Sequence, residues 1–308
     1  MARAMAYGRI GEYRIERLIT RTSTCIEYQA EHLLLPRRAV LKVMAPNVTA
    51  LPVLREACIL EALQHPGVVR VYESGVLPDR RPWFARELIE GSSLAGTLAP
   101  DTNAPIDAIA LLRDLTEVLA HAHHRGIVHA NLRPDKIMLT SRLRGYPLCI
   151  VDWSDARAHD AAAAPHTPSM ASWHYTAPEV IAGDAIDDRA DMFSVGVIAY
   201  RLLTGVLPFE GPMATARDGR SQVPPTELRC PDGPRELTTM VDQMLAFDRW
   251  DRPSSSEVHA DLTWLAEALA VPPPGLRIRR PRWTPALDFT PHDRRRDPDL
   301  EVDVETDD

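Results

Sequence analysis

The first third of the chain alternates apolar and polar residues with a period of two, which is typical of half-buried β-strands. Between the third and fourth of these runs, residues 52–63 carry apolar side chains at helical spacing and end before the turn signal His65-Pro66-Gly67. The pattern predicts a β-rich region with one inserted helix. The five predicted strands are residues 13–19, 25–32, 38–44, 68–75 and 82–89.

Helical periodicity dominates the rest of the chain. Residues 106–124 and 191–203 repeat apolar side chains at helical spacing, and Ser254 with Glu257 forms a capping box that opens a helix to about residue 269. A strand-rich region followed by a helical one predicts an α+β fold with two lobes. We place the small β-rich N-lobe at residues 13–90 and the larger α-helical C-lobe at residues 91–270.

Both ends of the chain differ in composition from the regions between them. Residues 1–12 are interpreted as an N-terminal extension. Residues 271–308 begin with prolines, continue with seven arginines between Arg277 and Arg296, and end in an acidic run. We expect this tail to be disordered, either as a solvated segment without function or as a docking segment that folds on a partner.

Overall composition limits the classes of function. The net charge of −8 argues against a dedicated nucleic-acid binder. The sequence has no run of about 18 apolar residues and its N-terminus has no apolar signal region, so we expect a cytoplasmic protein without a membrane span. Four widely spaced cysteines, without zinc-site spacing, are interpreted as small buried side chains in a reducing compartment.

The choice of basic residue is unusual. Of 35 basic residues only Lys42 and Lys136 are lysines, and the other 33 are arginines. Guanidinium and ammonium groups differ in shape and hydration, so a position that keeps lysine against this bias indicates a need for an ammonium.

A series of short motifs follows in a characteristic order. A strand ending at Lys42 is followed 14 residues later by Glu56 on a helix. The motifs that follow are His129-Ala130-Asn131, Asp152-Trp153-Ser154, Ala177-Pro178-Glu179, Asp191-Met192-Phe193-Ser194-Val195-Gly196 and Asp251-Arg252-Pro253. This order resembles the Ser/Thr protein kinase family of the bacterial, eukaryotic-like type, from about residue 13 to residue 269.

The resemblance implies architectural roles for the residues that match. Lys42 and Glu56 match the pair that binds the α- and β-phosphates of ATP. Glu179 and Arg252 match an ion pair that ties the activation segment to the C-lobe. Asp191 matches the helix residue that holds the catalytic loop through its histidine, here His129.

Other positions depart from the family pattern in the nucleotide pocket. The three glycines of the phosphate-binding loop correspond to Thr20, Thr22 and Cys25, whose Cβ atoms restrict the backbone. Glu27 replaces the valine that covers the adenine, and Val40 replaces a smaller alanine. Arg86 stands at the back of the pocket, where it either reaches toward Glu56, pairs with Glu27, or points outward.

The catalytic loop departs as well. Asn131 stands at the position of the base, and an amide cannot take a proton near neutral pH, which removes about 10²–10⁴-fold of general-base catalysis. Arg133 replaces the lysine of the loop, and Lys136 replaces the asparagine that holds the second Mg²⁺. Asp152 remains as a metal ligand, and we expect Lys136 to pair with it and stand in for the metal.

A group of histidines near residue 121 invites a metal-site interpretation. Only His121 and His124 share one helical face, and two ligands without a nearby cysteine or carboxylate make a weak zinc site. We interpret these histidines as the ordinary end of a helix.

These departures favour a catalytically impaired pseudokinase that acts as a regulatory or scaffolding protein, and they lean against an enzyme. Its expected partners are other proteins, an active kinase or signalling component among them, with no nucleic acid. No cofactor is expected; ATP and Mg²⁺ enter only if residual nucleotide binding survives. The first alternative is an unusual active Ser/Thr protein kinase using Asp152, Lys42 and Arg133 with a base from elsewhere. The second is a small-molecule-sensing module that uses the remodelled cleft.

Overall fold

The computed structural model describes residues 8–46, 51–98, 107–140, 144–159, 172–209 and 223–270. The predicted tail and the first seven residues lie outside this part. Within it, strands dominate up to Glu87 and helices dominate after Gly91. The predicted α+β organisation, with a β-rich N-lobe and a helical C-lobe, is confirmed. The exact lobe boundaries remain a prediction.

A six-stranded sheet forms the N-lobe, with the strand order β1-β2-β3-β4-β6-β5. Helix α1, Leu51–Ala62, lies between β4 and β5 in the chain and contacts β4, β5 and β6. The strands are β1 Arg9–Ile10, β2 Tyr13–Arg21, β3 Cys25–His32, β4 Arg38–Met44, β5 Val71–Val76 and β6 Pro82–Glu87.

Strand register places the charged residues of the pocket on one face of this sheet. Glu27 of β3 is directly opposite Lys42 of β4, and Val40 of β4 is directly opposite Arg86 of β6. Side chains alternate between faces along a strand, so these four residues point to the same side. The other face is apolar and packs around Tyr13, Leu41 and Trp83.

The C-lobe is built on helices α3, α5, α7 and α8, and its apolar side chains form the main core of the protein. The predicted capping box is present at the start of α8: the Ser254 amide donates to Glu257 Oε2 at 2.8 Å, and the Glu257 amide donates to Ser254 Oγ at 3.4 Å. The helices are α2 Leu94–Thr97, α3 Ala108–His123, α4 Pro178–Ala182, α5 Arg189–Thr204, α6 Thr226–Arg229, α7 Arg235–Met244 and α8 Ser255–Ala270.

Short strands beneath the N-lobe carry the loops of the candidate site. Strands β7 (Gly91–Ser93), β9 (Ile137–Thr140) and β10 (Leu148–Ile150) form one sheet, and β8 (Ile127–Val128) pairs with β11 (Arg157–Ala158). The loop from His129 to Lys136 therefore leaves β8 and enters β9, whereas Asp152 to Asp155 lie between β10 and β11. Both loops are thus anchored on both sides, which holds their side chains next to one another.

Candidate active site

A cleft of about 590 Å³ lies where the charged face of the N-lobe sheet meets these two loops. Its lining includes Lys42, Arg86, Asn131, Lys136 and Asp152. The folding of the two loops brings almost all of the residues singled out in the sequence into one place.

Lys42 is the centre of the upper half of this cleft. Its ammonium lies 2.6 Å from Glu56 Oε2 on α1, 3.4 Å from Glu27 Oε1 and 3.5 Å from Asp152 Oδ1. Burial alone lowers the pKa of Lys42, but the carboxylates of Glu56, Asp152 and Glu27 together raise it above its ordinary value. Lys42 is therefore a permanently charged ammonium surrounded by three carboxylates.

Arg86 points into the pocket, so its outward orientation, one of the alternatives from the sequence, is wrong. Its Nη2 atom lies 3.3 Å from Glu27 Oε2, and its side chain is buried. Burial lowers the pKa of Arg86, but Glu27 and Glu56 raise it by more, so the pKa lies above its ordinary value and the guanidinium stays charged. The arginine and Glu27 thus form an ion pair across the back of the pocket.

The backbone amides of the loop between β2 and β3 form hydrogen bonds within the loop itself. The amides of Thr24 and Cys25 donate to the Thr22 hydroxyl at 3.2 and 3.0 Å, and the Thr22 amide donates to the Cys25 carbonyl at 2.9 Å. These backbone donors are already satisfied within the loop. A phosphate group in the cleft would have to compete for them.

In the lower half of the cleft, the predicted ion pair between Lys136 and Asp152 is present. Lys136 Nζ lies 2.9 Å from Asp152 Oδ2 and 3.4 Å from Asp155 Oδ2. The Ser154 hydroxyl donates to Asp152 Oδ1 at 2.7 Å. Burial raises the pKa of Asp152, but Lys136 and Lys42 bring it well below its usual range, so the carboxylate is ionised.

These residues do not fit the pair of magnesium ions that the resemblance implies. An ammonium stands between the carboxylates of Asp152 and Asp155, and a divalent cation at the same place would be repelled by it. In the part of the chain that the structure describes, no cluster of three or more His, Cys, Asp or Glu side chains could hold a metal ion. That includes the histidines near residue 121.

Asn131 and Arg133 occupy the catalytic loop as the sequence predicts. Asn131 Nδ2 donates to Asp155 Oδ2 at 2.7 Å. Arg133 Nη2 pairs with Asp135 Oδ2 at 2.8 Å and borders the same cleft. Asp155 and Ser154 were missed in the sequence, although the run Asp152-Trp153-Ser154-Asp155 places a second carboxylate three residues after the first.

Asp191 holds the catalytic loop through His129, as the resemblance implies, and also through Ala130. The amides of His129 and Ala130 donate to its two oxygens at 2.8 Å, and His123 Nε2 lies 2.8 Å from Oδ2. The contact with His129 is made by its backbone amide. His123, which the sequence left as part of an ordinary helix end, anchors this carboxylate from α3.

His129 is itself fully buried against Trp153. Burial and the nearby Lys136 ammonium lower its pKa from 6.5 to about 4. Below pH 6.5 the unfolded chain takes up a proton at this residue, whereas the folded protein does so only near pH 4. The stability contributed by His129 therefore falls as the pH falls through this window.

We expect the free energy of unfolding to fall by about 3 kcal/mol between pH 7 and pH 4 because of this histidine. Each unit of difference between its unfolded and folded pKa contributes about 1.4 kcal/mol. Urea denaturation of the wild type and of His129→Gln at several pH values would measure it. The wild type should lose more stability than the variant over this window. Parallel curves would contradict the prediction.

The sequence comparisons agree with this geometry. The model of the protein kinase domain family matches residues 35–264. The serine/threonine-protein kinase pkn2 of Myxococcus xanthus is 31% identical over 86% of this chain and 34% of its own length. PknJ of Mycobacterium tuberculosis is 31% identical over 83% of this chain and 46% of its own length. PrkC of Bacillus subtilis is 26% identical over 82% of this chain and 40% of its own length.

The chain thus spans about a third to a half of the length of these relatives. All three are named serine/threonine-protein kinases, and together with the family match they point to a kinase enzyme. The leaning against an enzyme, drawn from the departures in the sequence, is therefore contradicted. Among the described helices, none is both long and apolar enough to cross a bilayer. The match over residues 35–264 and the shared two-lobed architecture show that this chain belongs to the protein kinase domain family, with bacterial Ser/Thr kinases as relatives.

Proposed function

We propose that this chain is an unusual Ser/Thr protein kinase that transfers a phosphoryl group from ATP to protein. The observation that carries the proposal is the buried ion pair between Lys42 and Glu56, at 2.6 Å. This pair keeps α1 against the sheet and presents an ammonium to the cleft, which is the arrangement that phosphoryl transfer requires in protein kinases. The relatives named as Ser/Thr kinases support the same activity.

ATP binding involves an exchange of partners in this cleft. The triphosphate replaces the carboxylates of Glu27 and Asp152 as the anionic partner of Lys42, while Glu56 stays in place. The adenine of ATP shares the pocket with the ion pair of Glu27 and Arg86. Because the loop amides are already bonded, Lys42 carries a larger share of phosphate binding than in a glycine-rich loop.

Lys136 supplies the charge that the second magnesium ion would otherwise provide. It lies within 3.4 Å of the carboxylates of Asp152 and Asp155 and is held there by both. An ammonium carries one positive charge where the ion carries two, so it stabilises the phosphates less strongly. We therefore expect slow turnover and weak nucleotide affinity.

The experiment is direct. Purified protein is incubated with Mg²⁺ and γ-labelled ATP, with dephosphorylated casein as acceptor, and its thermal midpoint is followed in an ATP titration. We expect label on serine and threonine and a rise of the midpoint with ATP, since a ligand at 100 times its Kd stabilises the folded state by about 2.7 kcal/mol. A chain that neither labels the acceptor nor shifts with millimolar ATP would overturn the proposal.

A second candidate function is regulation of other proteins by contact, as a pseudokinase. It is favoured by the two ion pairs inside the cleft, Arg86 with Glu27 and Lys136 with Asp152, which keep the pocket ordered without a nucleotide. Such a role does not depend on turnover. If a chain with Lys42→Met still fulfils the cellular role of the wild type, contact accounts for that role; if it keeps the thermal midpoint of the wild type but not the role, transfer accounts for it.

A further inference from the structure

Asp155 is an acidic side chain in the cleft to which the family pattern assigns no role in this chain. It follows Asp152 by three residues and lines the cleft together with Asn131 and Lys136. Its side chain is 26% exposed, so one part faces solvent in the cleft while the other contacts protein. Asp155 is thus held by protein contacts while part of its side chain stays exposed in the cleft.

Asn131 and Lys136 are among the residues that hold it. Asp155 Oδ2 accepts a hydrogen bond of 2.7 Å from Asn131 Nδ2 and lies 3.4 Å from Lys136 Nζ. An ionised carboxylate only accepts hydrogen bonds, so the amide group of Asn131 must turn its NH₂ toward Asp155. Asn131 Oδ1 is then left without a hydrogen-bond partner among the described residues.

A carboxylate lies one hydrogen bond away from the position of the family's catalytic base. Asn131 stands where the resemblance places the base, and it cannot take a proton itself. Its amide nitrogen donates to the carboxylate of Asp155, on the neighbouring loop. Because a carboxylate has about four lone-pair sites and the Asp155 side chain is partly exposed, a substrate hydroxyl in the cleft can donate a hydrogen bond to it alongside its protein contacts.

We propose that Asp155 is the general base of this kinase and that Asn131 is a positioning residue that holds it. The inference rests on the proposed function. It also identifies the base that the departures in the catalytic loop call for. A base must lie within hydrogen-bond reach of the proton that it takes, and Asp155 borders the same cleft as Lys42.

The chemical step balances without a further reactant. The oxygen of a serine or threonine hydroxyl forms a bond to the γ-phosphorus of ATP as its proton passes to Asp155. The bond from the γ-phosphorus to the bridging oxygen breaks, and its electron pair leaves with ADP. Asp155 then releases the proton to solvent, which gives the phosphorylated acceptor, ADP and a proton.

The test compares Asp155→Asn with the wild type in steady-state transfer from Mg·ATP. We expect kcat to fall by about 10²–10⁴-fold while KM for ATP changes little, because the amide keeps the shape but cannot take a proton. Asp232→Asn, at an exposed turn before α7, is the matched control and should keep the activity of the wild type. The thermal midpoints of all variants are measured in parallel.

A swap makes the test independent of folding. In the double variant Asn131→Asp/Asp155→Asn the carboxylate moves across the same hydrogen bond to the catalytic loop. We expect the kcat of this double variant to be at least tenfold higher than that of Asp155→Asn. An active wild type with an unimpaired Asp155→Asn would overturn the role of Asp155 alone. The role would also be overturned if Asp155→Asn changed only KM and the thermal midpoint and left kcat unchanged. That result would show that Asp155 acts as a counter-ion for Lys136. A wild type without any transfer would overturn the proposed function as well.

Discussion

Replacing Arg252 by alanine is expected to lower the free energy of unfolding by about 3–5 kcal/mol, the usual cost of removing one partner of a buried ion pair. Its side chain is 0% exposed and binds both oxygens of Glu179, at 2.7 and 3.1 Å. It also donates to the carbonyls of Ala246, Arg189 and Phe247. The alanine variant leaves Glu179 buried without its cation and removes one donor from each of these carbonyls.

Urea denaturation measures this loss, and Arg235→Ala is the matched control because Arg235 is 82% exposed and its ion pair lies at the surface. The control should change stability by less than about 1 kcal/mol. In Glu179→Gln/Arg252→Met the buried charges are removed together, and we expect a smaller loss than in Arg252→Ala. An alanine variant as stable as the control would mean that the pair contributes nothing to the C-lobe.

Replacing Lys42 by methionine is expected to reduce phosphoryl transfer by about 10²–10³-fold, the cost of removing one preorganised donor from a developing anionic centre. Methionine keeps the length of the side chain but loses the ammonium that holds Glu56, Glu27 and Asp152. Steady-state transfer from Mg·ATP measures the effect. Arg235→Met is the matched control, since it also removes one cation but far from the cleft.

Loss of stability has to be separated from loss of chemistry in this variant, because three carboxylates lose a partner. In Lys42→Met/Glu56→Gln the most deeply buried of these carboxylates becomes neutral, so part of the stability should return. The transfer activity should not return, since the ammonium is still missing. Recovery of activity in the double variant would show that Lys42 acts only as a structural cation.

Most of the N-lobe could be predicted from the sequence, because its strands bury one face and show the period of two. The predicted strands at residues 25–32 and 38–44 coincide with β3 and β4. Helix α7 and the short strands β7 to β11 were not predicted. The strands are two to four residues long, too short for a periodic pattern, and they exist only because they pair with distant segments.

The candidate site divides in the same way. Motif order identified Lys42, Glu56, Asn131, Lys136 and Asp152, because each stands at a characteristic spacing from its neighbours in the chain. It did not identify Asp155, and it did not identify His123 as a partner of Asp191. The departures in these motifs also led the interpretation away from an enzyme, because each residue was compared with the family pattern at its own position alone.

Local periodicity and motif spacing alone were sufficient to determine the family, the two-lobed α+β architecture and most of the side chains that meet in the cleft. Only the tertiary structure decided which charge pairs with which: Arg86 with Glu27, Lys136 with both Asp152 and Asp155, and Asn131 with Asp155. The physical reason is range. Backbone pattern depends on neighbours in sequence, whereas Coulombic and hydrogen-bond partners depend on distances of about 3 Å between segments that are far apart in the chain.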